Sequence, residues 1–151
     1  MTVQRLGYAL SVALCAGLIW WWALTQRPSP TTRLAEFEAV CLSATSQVGR
    51  YPMPALAAGS VSSMRQVARA RDVQASAETC PDDALRVHYR MMSSAQTMHY
   101  EAVLTAADAF GTTLWEYRED APLTGATSLH QYNAGKFFSA LIDDWQAVQN
   151  P

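Results

Sequence analysis

The stretch Leu85–Phe110, LRVHYRMMSSAQTMHYEAVLTAADAF, sets Leu85, Tyr89, Met92, Ala95, His99, Ala102, Val103, Ala106 and Phe110 at the spacing of one helical face, with Gly111 as the first interruption. Cys80-Pro81-Asp82-Asp83 before it has the composition of a helix start, since proline fits the first turn and carboxylates complement the positive end of the helix dipole. The spacing predicts one long helix here, and an all-α fold follows from it.

The flanking segments extend the same expectation. Leu34, Phe37, Val40, Cys41, Ala44 and Val48 recur at helical spacing from Arg33 to Gly49. Tyr51-Pro-Met-Pro54 and the small residues up to Gly59 break that pattern, and Ser63 with Gln66 offers a capping box for a helix reaching about Ala77. A short helix over Thr112–Glu119 is expected to hold Leu114 and Trp115, and Pro122 and Gly125 mark a loop. Ser128 with Gln131 then caps a last helix that aligns Leu129, Tyr132, Phe138, Leu141, Trp145 and Val148. About four helices with short connections imply a small antiparallel bundle over residues 33–151.

Before that domain, LGYALSVALCAGLIWWWAL from Leu6 to Leu24 carries no charge and would span about 28 Å as a helix, close to a bilayer's hydrocarbon thickness. Trp20, Trp21 and Trp22 occupy the place where a cleavage site would need small residues, and tryptophan suits the headgroup region. Residues 1–27 are therefore expected to be an uncleaved membrane anchor, with Pro28 and Pro30 stiffening a linker over 28–32. Two strips of small residues, Gly7, Ser11, Cys15 and Ala9, Ala13, Gly17, would let another helix approach closely within the bilayer.

The remaining composition narrows the function. The net charge of −2 and the expected compartment argue against nucleic acid as a partner, while arginines concentrated in residues 28–71 and acids in residues 91–151 imply a basic and an acidic side, either solvated faces that pair across the bundle or surfaces that orient a partner or meet anionic headgroups. Cys41 and Cys80 can pair in an oxidising compartment, or remain buried thiols. No Gly-x-Ser-x-Gly, phosphate-cradling glycine loop or His-Glu-x-x-His motif occurs, His99-Tyr-Glu101 lacks the second half of a zinc-deaminase signature, and adjacent Asp143 and Asp144 point about 100° apart on a helix. No enzyme activity is expected.

These readings converge on a single-pass accessory, assembly or stabilising subunit of a bacterial inner-membrane complex. Its domain would lie on the periplasmic side, and its partners would be other membrane subunits and the lipid bilayer. The alternative is a membrane-tethered copper or haem binder using His88, Met92 and His99, whose imidazole and thioether groups suit those metals. On one helix His88 and His99 would lie about 16 Å apart, so they could not share a metal without ligands from elsewhere. Covalent c-type haem is excluded, because no Cys-x-x-Cys-His motif is present.

Overall fold

The computed structural model describes residues 31–94, 99–122 and 128–149. Their order is a 3-10 turn (Thr32–Glu36), β1 (Ala39–Val48), β2 (Tyr51–Pro52), α1 (Pro54–Ala70), β3 (Gln74–Ser76), β4 (Leu85–Ser94), β5 (His99–Ala107), β6 (Thr113–Pro122) and α2 (Ser128–Gln149). The strands form one sheet in the order β2-β1-β4-β5-β6, with β3 also pairing β1. β1 runs parallel to β3 and β4, while β4, β5 and β6 are an antiparallel meander.

This overturns the all-α bundle, and the reason lies in the period of the opening stretch. In β4, Leu85, Val87, Tyr89, Met91 and Ser93 are buried, while Arg86, Arg90 and Met92 between them are exposed and His88 is half-buried. That is the two-residue alternation of a strand with one covered face. Leu85 and Tyr89, four apart, satisfy both periods. Val87 and Met91 satisfy only the strand, and Met92, needed on the helical face, is exposed. β1 repeats the alternation, with Val40 and Leu42 buried and Ser43 exposed.

Each local break has a chemical cause. Gly49, at φ +60°, takes the first central position of the two-residue turn joining β1 to β2, where a side chain would be strained. Pro54 opens α1 as its first residue, so the segment up to Gly59 expected to interrupt the helices is itself a helix start, and Ser63 and Gln66, expected to cap a helix, lie inside it. Leu56, Ser60, Met64 and Ala68, each four apart, form the buried stripe of that helix. It ends where Asp72 adopts φ +55° and the Val73 N–H donates to the Ala68 carbonyl at 2.9 Å, a closure that satisfies the last turn. At the β5–β6 turn Gly111 has φ +82°, and the Asp108 carboxylate accepts from the N–H groups of Phe110 and Thr112 at 3.0 and 2.8 Å.

Both helices lie on one face of the sheet. α1 packs against β1 and α2, and α2 packs against the 3-10 turn and β5. Leu34, Met64, Leu85, Tyr89, Leu104, Phe138, Leu141 and Ile142 are fully enclosed between the layers. The helices cross closely at Gly135, where an added Cβ would sit 2.7 Å from the Ser63 Oγ. The opposite face carries neither helix.

Cys41 and Cys80 are joined by a disulfide, with Cα atoms 5.3 Å apart. Cys41 stands between Ser76 of β3 and Arg86 of β4 in the register, so the bridge ties the connection between those two strands over the start of β1. Among the described residues no helix is long and apolar enough to cross a membrane. The expected anchor, its packing residues and Trp20–Trp22 lie outside the described residues. The expected inner-membrane placement therefore has no support in the described fold, whereas the disulfide points to an oxidising compartment.

Candidate functional site: the open face of the sheet

Because side chains alternate across a strand, register fixes what is displayed on the open face, the one that no described helix covers. Ser43, His88, Thr105 and Glu116 form one row across β1, β4, β5 and β6; Thr45, Arg90, Val103 and Arg118 form the next; Gln47, Met92, Glu101 and Asp120 form a third. The surface is polar and carries both signs of charge. β4 contributes Arg86, His88 and Arg90, β5 contributes Glu101, and the edge strand β6 contributes Glu116, Arg118 and Asp120. Val103 is only 4% exposed, although it lies between two arginines in register on this face. Such burial is what long arginine stems achieve when they lie along a flat surface.

His88 is held at both ring nitrogens. Its Nδ1 lies 2.8 Å from the Ser43 Oγ and its Nε2 lies 3.0 Å from the Thr45 Oγ1. Ser43 also donates to the Val87 carbonyl at 3.3 Å, which leaves its oxygen to accept from an Nδ1–H and leaves Nε2 to accept from Thr45. Both nitrogens of a neutral imidazole are thereby satisfied. Partial burial, reinforced by the Arg90 charge, holds the His88 pKa below its ordinary 6.5 and keeps the ring neutral. Next to it, Glu101 draws in Arg90 at 3.5 Å and Arg118 at 3.6 Å, so three charged side chains on three strands are mutually oriented.

This geometry presents groups rather than activating them. A serine nucleophile needs a base steadied by a third group, and oxyanion donors near the reacting carbon. Here the second imidazole nitrogen meets the Thr45 hydroxyl, and backbone N–H groups of a strand lie in the sheet plane, along the ladder. The metal reading is corrected as well. His88 and Met92 are four residues apart on β4, about 13 Å, and His99 lies on β5 opposite Ser94, farther still. Met92 and His99 are diagonal neighbours on the same face, but the sheet sets His88 apart from both, and both His88 nitrogens already have partners. No group of three or more His, Cys, Asp or Glu able to hold a metal occurs among the described residues.

A second concavity lies on the helix side. Ser63, Val67, Lys136, Ser139 and Asp143 line an open groove of about 520 Å³ between α1 and α2. Its charges are engaged within the chain: Arg71 pairs with Asp143 at 2.8 Å and Lys136 with Glu119 at 3.9 Å. Beneath α2, the Tyr100 hydroxyl donates to Glu119 at 3.1 Å and accepts from Asn133 at 2.8 Å. Burial first, and that acid second, push the Tyr100 phenol up.

No protein family matches the chain, and no curated protein or solved structure matches it either. The function therefore rests on the chain's own geometry. Of the residues singled out by sequence, His88 belongs to the open face for a reason unrelated to metal. Ser43, Thr45, Arg90, Glu101 and Arg118 were missed; the alternation in β4 could have put Arg90 on an exposed face with His88, but only the strand register brings the others to it. The accessory-subunit reading joined the small-residue strips of residues 7–17 to an appended helical bundle; the strips lie outside the described residues, the sheet replaces the bundle, and no described helix is long and apolar enough to cross a membrane.

Proposed function

We propose that this chain is a recognition domain of an oxidising compartment that binds a polypeptide partner on the open face of its sheet. The observation that carries the reading is the held arrangement on that face: His88 between Ser43 and Thr45, and Glu101 between Arg90 and Arg118. Side chains ordered before an encounter lose less freedom on binding, which favours affinity and register. The charges define the partner's chemistry. A complementary surface offers carboxylates to Arg86 and Arg90 on β4 and a cation to Glu101 and Asp120 beside them. Among the described residues this face has no aromatic ring other than imidazole, so it lacks the stacking platforms that single-stranded nucleic acid needs.

Photo-crosslinking in the cells that make the protein tests this. A photoreactive residue at Thr45 of the full chain is expected to give one discrete adduct, and the same residue at Arg69, on the exposed side of α1, is expected to give none. Arg90→Glu should lower the Thr45 adduct about tenfold, the equivalent of about 1.4 kcal/mol. An adduct from position 69 alone, or one indifferent to Arg90→Glu, would refute the proposal.

A further inference from the structure

β6 ends the sheet, and among the described residues nothing pairs with its outer edge over Thr113–Pro122. A strand this long with free N–H and C=O groups is a template for another strand unless its side chains forbid the approach. Those of β6 favour one arrangement. On the open face it carries Glu116, then Arg118, then Asp120; on the helix side it carries Trp115, then Tyr117, then Glu119. Glu116 and Arg118 have side chains about half exposed, and Tyr117 is 38% exposed.

We propose that β6 is a dimerisation edge, on which a second copy of this chain pairs antiparallel with its two-fold axis through Tyr117. The charged pairs beside the axis then meet in a complementary way. Glu116 faces Arg118 of the second copy, Arg118 faces Glu116 of the second copy, and the two Tyr117 rings meet on the axis. The Trp115 ring lies opposite Glu119, and the ladder runs from Thr113 to Ala121. Neighbouring registers fail on charge. An axis through Glu116 sets that carboxylate against itself. An axis through Arg118 sets two guanidinium groups together and places Glu116 opposite Asp120, acid against acid. An axis between residues places open-face side chains against helix-side ones, which the pleat does not allow. The resulting dimer carries a single continuous sheet, its two open faces merged into one surface and its helices on the other side.

Sedimentation equilibrium of the full chain in density-matched detergent decides this, and the charge variants separate pairing at β6 from any association through the apolar residues 6–24. The wild type is expected at twice the monomer mass. Arg118→Glu turns two symmetric attractions into two repulsions and should weaken the dimer by about tenfold or more. The exchange Glu116→Arg with Arg118→Glu restores both pairs and should restore the dimer. An unchanged circular dichroism spectrum shows that each variant is folded. A wild type that stays monomeric at every concentration, a dimer indifferent to Arg118→Glu, or a double variant no better than the single would each overturn the proposal.

Discussion

Replacing both Cys41 and Cys80 by alanine is expected to lower the stability of the full chain by about 4 kcal/mol, because the bridge closes a loop of 39 residues in sequence and removes that much freedom from the unfolded chain. The position of the bridge makes a native-state contribution as well. The chain leaves β3 on one side of β1 and must reach β4 on the other, and this connection contains Cys80. Without the tie the connection gains freedom where the parallel ladder begins at Val40 and Leu85. Urea unfolding of wild type and the double variant measures the difference. Reduction of the wild type should reproduce it, and a loss below about 1 kcal/mol would show that the bridge does little to restrain the unfolded chain.

The second large effect contrasts adjacent residues. Tyr89 is wholly enclosed, with its ring edge-on to Phe137 at 6.1 Å between centroids, and burial pushes its phenol well above the ordinary tyrosine range. Tyr89→Ala should therefore cost about 3–5 kcal/mol, since the helix layer cannot collapse into the space of an aromatic ring. His88→Ala should cost about 1 kcal/mol or less, because Ser43 and Thr45 can turn to water once the imidazole is gone. The same unfolding measurement reads both. Equal losses at 88 and 89 would deny that the sheet has one covered and one open face.

The parts of the fold legible from sequence were those in which one period stood alone. In α2, Phe138, Leu141 and Trp145 recur at three and four residues, and the segment is a helix over Ser128–Gln149 with these residues buried. Gly49 and Gly111 marked breaks, and both prove to be turn positions with positive φ. The middle of the chain was illegible because alanine and serine are numerous there. In β5, Ala102, Leu104 and Ala106 alternate on the helix side, yet the buried Val103 between them fills in a helical pattern equally well. Parallel pairing of β1 with β4 joins residues more than forty apart, a non-local preference that no window of sequence contains. The open-face site was hidden for the same reason. Ser43, Thr45 and His88 have no shared motif, and only the β1–β4 register brings them together.

Cysteine labelling along β4 reads the sheet's two faces most directly. With Cys15→Ser in the background and the Cys41–Cys80 bridge intact, single cysteines replace Arg86 through Met92 in turn, and each purified full chain is treated with a water-soluble thiol reagent. Rapid labelling at 86, 88, 90 and 92 with protection at 87, 89 and 91 is the expected result. Labelling that instead repeats every three to four residues would mean that this stretch is a helix, and the open face, its held charges and the recognition surface would fall with it.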